Sequence, residues 1–216
     1  MASEQPPPPA SDWHKRALLE IVATVLTAVA FPAYRLVIGG TLWFMIFVPL
    51  AWLVYLARAI RADRSVLKEW GVRADNLGPA LLRCAPFFLV GLLCLAGYRL
   101  WQGWFTPGWT FWVVFLLYPL WGLAQQFLVQ AMVARNPRKL GLPAWGVVLL
   151  AGVGFGMVHV FHPELAVLCV GAGIVWTGLF LKTPNLIPLA LAHGWLGTLA
   201  YYWILEMEPL QRVILG

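Results

Sequence analysis

The sequence predicts an all-α fold: a polytopic membrane protein of about seven transmembrane helices packed as one bundle. Three observations predict it. Of 216 residues, 61% are hydrophobic and only 11% charged, whereas soluble domains carry roughly 25% charged residues. The windows 36–57, 100–134, 140–163 and 183–205 hold no Asp, Glu, Lys or Arg, and ~20 apolar residues cross a bilayer as helix. Most of the thirteen Trp fall near the ends of the resulting segments, among them Trp101, Trp104, Trp109, Trp145 and Trp203, as an aromatic belt would have them.

In chain order, residues 1–16 hold the run Pro6 to Pro9 without an apolar segment, and read as a disordered or extended tail. Seven spans follow at about 17–36, 41–57, 81–98, 109–134, 143–161, 164–181 and 186–205. Glu20 near the start of the first and Arg83 at the edge of the third are tolerable if their side chains snorkel to the interface. The polar stretch 63–83 reads as an interfacial helix and turn leading into the third span. Residues 17–205 form a single transmembrane bundle without internal repeat, and 206–216 form a short C-terminal tail.

Charge sets the orientation. With the N-terminus inside, twelve of the fifteen Lys and Arg fall in cytoplasmic segments, leaving Arg35, Arg99 and Arg212 outside. The positive-inside rule then gives a multi-pass protein of the cell membrane with a cytoplasmic N-terminus and an external C-terminus. The net charge of +6 belongs to orientation and headgroups, and no nucleic acid is expected as a partner. Cys84, Cys94 and Cys169 sit in apolar runs without a CxxC pair and read as small buried hydrophobes. Gly152 and Gly156 have the GxxxG spacing of a close helix contact.

The informative residues are polar ones at membrane depth: Gln125, Gln126 and Gln130 in the fourth span, His159 and His162 at the end of the fifth, and His193 in the seventh. Such groups face a bundle interior or a wet cavity. For the glutamines, plain interhelical hydrogen bonding is the alternative, at ~0.6 kcal/mol per interaction. Phe155 and His159 are four apart, one turn along a helix face. Gln126 and Gln130 are also four apart and can pair through their amides, while Gln125 points about 100° away from both. His162, beside Pro163, reads as interfacial.

At these residues the chain resembles the CPBP family, the CAAX-protease and bacteriocin-processing intramembrane endopeptidases. FGMVH, from Phe155 to His159, matches the family's FxxxH motif, and LFLKTPNLIPLALAH, ending at His193, resembles the approach to its third motif, HxxxN. The resemblance covers about 109–201. It implies a protease-like bundle whose partners are membrane lipid and a membrane-embedded or lipid-modified peptide, with no cofactor; His159, His162 and His193 could offer imidazoles to a metal, but without a Cys, Asp or Glu partner no metal site is expected. It also implies roles. Gln125 takes the place of the general base, Gln126 and Gln130 the places of a structural ion pair, His159 the water-binding place and His193 the oxyanion place. Phe155 and Gly197 take substrate-facing places, with Gly197 where Asn is expected. The family's EExxxR reads QQFLVQ here, from Gln125 to Gln130.

An amide holds water by hydrogen bonding but cannot take its proton, and general-base help is worth about 10²–10⁴ in rate. The ion-pair places have lost both charges together, which avoids stranding one buried charge at ~3–5 kcal/mol. Two states stay open: a divergent form that binds a membrane-embedded peptide or lipid-modified C-terminus with little or no cleavage, and a working protease with His159 as base and Gln125 orienting water. A small transporter or lipid-binding protein, or a structural membrane partner with the glutamines as glue, is the alternative class. Convergence sets one further condition. His159 lies 16 residues past Pro143, about 24 Å of rise, against 7 residues from Leu186 to His193. A shared site therefore expects the fifth span to begin late, near Val148, or to tilt.

Overall fold

The computed structural model describes residues 10–38, 42–103 and 105–208. The Pro6–Pro9 run, Trp104 and most of the expected C-terminal tail lie outside the described residues. The chain is helical in the order α1 (Ala10–Ile38), α2 (Leu42–Ala62), α3 (Val66–Glu69), α4 (Leu77–Gln102), α5 (Trp109–Gln126), a π-helical segment (Phe127–Ala134), α6 (Arg135–Lys139), α7 (Ala144–Met157), α8 (Pro163–Lys182) and α9 (Leu186–Trp203). α1 starts at Ala10, inside the stretch read as a tail.

Each of the seven expected spans coincides with a helix, but they divide into three kinds. Five are long and apolar enough to cross a membrane: 13–38, 42–62, 77–102, 109–139 and 163–182. α7 is not, because its 14 residues rise roughly 21 Å against a hydrocarbon core of ~30 Å. α9 is diluted by His193, Thr198, Tyr201 and Tyr202, and it lies inside the protein, with eleven of its 18 residues buried, among them Leu186, Ala192, Leu199 and Tyr202. An apolar window thus marks a helix without saying whether lipid or protein surrounds it.

α9 is the central helix, packed along α5 and against α4, and α7 and α8 form an antiparallel pair. α5, the π-helical segment and α6 run on as one rod of 31 residues. Its far end meets α1.

The contact with α1 corrects the reading of Glu20. Rather than snorkelling, Glu20 is 5% exposed. Its carboxylate accepts from Arg16 Nε at 2.9 Å, from Asn136 Nδ2 at 2.7 Å and from the Tyr55 hydroxyl. Otherwise α1 buries only Ala17 and Thr24 among its described side chains, so polar bonds rather than apolar packing hold this helix to the bundle.

In the 63–83 stretch the expected helix and turn lead into α4, but the helix is short and packs inward. α3 is one short turn, after which Trp70, 1% exposed, tucks its ring edge-on against Phe127 at 5.3 Å. Gly71 then turns with φ +85°, and a Cβ there would lie 2.8 Å from the Phe180 ring. Its carbonyl accepts from Leu186 N at 2.8 Å. Cys84 and Cys169 are buried as expected, whereas Cys94 faces outward.

Candidate functional site

α5 and α9 cross where glycine removes the side chain. A Cβ on Gly194 would lie 2.5 Å from Pro119 Cα, and one on Gly122 would lie 2.8 Å from the Ala190 carbonyl oxygen. This closeness brings the end of α5 against the middle of α9. Gln126, fully buried, donates from Nε2 to His193 Nδ1 at 3.2 Å, and its Oε1 accepts from Gln130 Nε2 at 3.0 Å. Gln130 is fully buried as well. The amide pair expected from the four-residue spacing therefore forms, and it continues into an imidazole. The π-helical segment begins at the residue after Gln126, and such segments recur at functional sites.

α7 and α8 approach by the same device. A Cβ on Gly156 would lie 2.9 Å from the Ala166 carbonyl oxygen, and one on Gly173 would lie 2.9 Å from Gly152 Cα. Gly152 and Gly156 are packing residues, as their spacing implied. α7 then ends at Met157, and His159 sits in the turn before α8 rather than on a helix face. The turn still aims it inward: His159 Nδ1 donates to the Phe155 carbonyl at 2.9 Å.

The two imidazoles meet on either side of one ring. Phe155, 3% exposed, packs edge-on to His159 at 5.1 Å and to His193 at 5.3 Å. The late start expected for α7 does not occur, since the helix begins at Ala144. The rod resolves the depth problem instead. From Gln126 to Lys139 it descends roughly 20 Å, and from Ala144 to Phe155 α7 climbs roughly 17 Å back to the same level. α9 needs no such climb because it starts higher. Asn185 holds it there, donating from Nδ2 to the Arg73 carbonyl and to Asn76 Oδ1, each at 2.8 Å, while its Oδ1 accepts from Ile187 N.

The hydrogen bonds fix opposite polarities for the two rings. His193 Nδ1 accepts from Gln126, so its proton is on Nε2 and that nitrogen is a donor. His159 Nδ1 donates to the Phe155 carbonyl, so in the neutral ring its Nε2 is a lone-pair acceptor. A neutral donor and a neutral acceptor beside one aromatic ring are what acyl transfer asks of an oxyanion partner and a base. Trp176 stacks on His193 at 5.1 Å and 27°, and Tyr118 stands edge-on to it at 6.4 Å. Gln125 is half-buried, and its buried Oε1 has no hydrogen-bond partner among the described residues. Hydrogen bonds thus join Gln126 and Gln130 to His193, and none joins Gln125 to either histidine. Among the described residues, no three His, Cys, Asp or Glu side chains gather as a metal site.

A family model described as type II CAAX prenyl endopeptidase Rce1-like matches residues 107–199. Over this stretch the chain is similar to that family. The match agrees with the CPBP resemblance read from FGMVH and from the approach to His193. No curated protein and no solved structure matches the chain. The Rce1-like stretch runs from just before α5 to near the end of α9, and so takes in Gln125, Gln126, Gln130, Phe155, His159, His193 and Gly197.

Three residues of the Rce1-like stretch escaped the sequence reading. Tyr118 lies against Gly197, where a Cβ would come 2.9 Å from the ring. The space that a side chain at 197 would take is therefore filled by an aromatic from α5. Trp176 carried no signal, since one Trp among thirteen in an apolar helix looks like packing. Asn185 was in plain view between Pro184 and Leu186, where a buried amide at a helix start is a cap.

Replacing Gln126 with Leu removes the donor to His193 Nδ1. In the unchanged protein, ¹⁵N shifts of His193 are expected to report the Nε2–H tautomer alone. In Gln126→Leu a mixture is expected, with a small stability loss of ~0.6 kcal/mol for one interhelical bond. A single Nδ1–H tautomer in the unchanged protein would overturn the polarity assigned here.

Proposed function

We propose that the protein binds a membrane-embedded peptide or a lipid-modified C-terminus beside Phe155, His159 and His193, and hydrolyses it slowly or not at all. The observation that carries this reading is the run of two carboxamides, Gln130 to Gln126 to His193. It keeps an N–H of His193 as a donor for a carbonyl oxygen while bringing no carboxylate to take a proton from water. Gln125, in the base position by resemblance, can orient a water molecule and no more.

The test is turnover and binding together. Purified full-length protein in liposomes is offered a prenylated peptide and a hydrophobic unmodified peptide. Binding without product release is expected, and His159→Ala and His193→Ala should each weaken binding by several-fold. Rapid cleavage by the unchanged chain that disappears in His159→Ala would overturn the slow-hydrolysis reading. It would favour the working protease, for which the supporting observation is the Nδ1 bond of His159 to the Phe155 carbonyl, which leaves Nε2 of the neutral ring to accept a proton.

A further inference from the structure

A second feature lies outside this site, on the flank between α4 and α8. A groove of about 660 Å³ opens there, within the ~300–1,000 Å³ of clefts that hold a ligand. Phe87 lines it from α4, and Ile174, Gly178 and Leu179 line it from α8. Its walls are apolar along their length, and at one end stand two cations, Arg83 and Lys182. The repeat of four on each helix makes the arrangement. Arg83 and Phe87 are one turn apart on α4, and Ile174, Gly178 and Lys182 form one stripe on α8.

The cations are uncompensated. Arg83 Nη1 donates to the Lys182 carbonyl and to the Thr183 hydroxyl, which ties the two helix ends together. Neither Arg83 nor Lys182 forms an ion pair among the described residues, whereas Glu20, Glu69, Asp75 and Glu206 are all engaged by other cations. The groove stays open because α8 carries glycine one turn before its end, and a Cβ on Gly178 would meet nothing within 4 Å. Phe87 is 49% exposed, an apolar wall with no protein upon it.

We propose that this groove is a binding site for an anionic phospholipid. The phosphate bridges Arg83 and Lys182, and one acyl chain lies along Phe87, Ile174 and Gly178. The chemistry is specific at both ends. Two cations at the border of an apolar helix sit at headgroup level, where each Lys or Arg attracts anionic lipid. An apolar channel leading away from them takes a chain and offers nothing to a polar ligand. A zwitterionic headgroup would set its own cation against the same pair. The site does not depend on catalysis or on the residues around His193.

Native mass spectrometry on the purified full chain tests this. The protein is titrated in neutral detergent with phosphatidylglycerol, phosphatidylcholine and glycerol phosphate. One phosphatidylglycerol is expected to be retained in preference to phosphatidylcholine, with no binding of glycerol phosphate. Arg83→Gln with Lys182→Gln is expected to lower that affinity by about tenfold or more. Gly178→Phe, whose Cβ would meet nothing within 4 Å and whose ring would occupy the groove, should lower retention of either lipid. Arg58→Gln with Arg61→Gln, a pair of equal charge at the end of α2, should change nothing. Thermal midpoints confirm that each variant is folded. Equal retention of the two lipids, an unchanged Arg83/Lys182 variant, or an equal loss in the Arg58/Arg61 variant would each overturn the proposal. Glycerol phosphate binding as tightly as the lipid would reduce the site to a free phosphate site and overturn the acyl groove.

Discussion

Gln125→Glu is expected to raise hydrolysis of a prenylated peptide in liposomes by about 10²–10⁴-fold over the unchanged chain, the usual worth of a general base. The position suits a carboxylate. Gln125 is half-buried, and it takes no part in the hydrogen bonds that orient His193, so a carboxylate there leaves that ring's donor in place. Gln126→Glu is expected to do the opposite, although it restores a carboxylate one residue away. That site is fully buried, and an unpaired charge there costs about 3–5 kcal/mol. A carboxylate at 126 would also accept from His193 Nδ1, which removes the neutral N–H donor at Nε2. Product formation measured for the two variants side by side decides the matter. A folded Gln125→Glu protein without any gain would mean that the site is not arranged for hydrolysis.

Glu20→Ala is expected to lower stability by about 3 kcal/mol, the lower end of the cost of breaking a buried pair. The lower end applies because the Arg16 side chain is 45% exposed and recovers water. The loss falls on Asn136, 1% exposed, and on the Tyr55 hydroxyl, both left without their acceptor. Glu20→Gln keeps an acceptor and is expected to lose less. Denaturant titration in detergent measures both, and protease accessibility of α1 should rise before the rest of the bundle opens. An Ala variant as stable as the unchanged chain would show that α1 is held by something other than this cluster.

Helix existence was legible in the sequence because charge-free windows longer than a bilayer admit few other structures. Helix surroundings were not. α9 and α2 are both apolar on inspection, yet α9 has most of its residues buried and α2 has none. The difference lies in which helix has Gly122 and Pro119 of α5 beside it. Spacing alone paired Gln126 with Gln130, since i and i+4 share a helix face. No spacing rule could join Gln126 to His193, 67 residues away. The resemblance named His193 and His159 as one site, but the physical means of bringing them level, a rod that overshoots α9 and a short helix that climbs back, exists only in three dimensions. Glu20 was misjudged because a lone carboxylate near a span start has water as its usual partner, and here its partners come from α2 and α6.

The overshoot of that rod also sets how far a peptide bound as proposed would have to travel. Thirty-one residues of helix span roughly 46 Å, some 16 Å more than the hydrocarbon of a bilayer. With the surplus centred or displaced toward the basic end at Arg138 and Lys139, the two imidazoles lie roughly two helical turns or fewer beneath the lipid boundary on that side. A tail-anchored chain end would need to dip only a few residues inward to reach them, with its greasy modification already among the acyl chains.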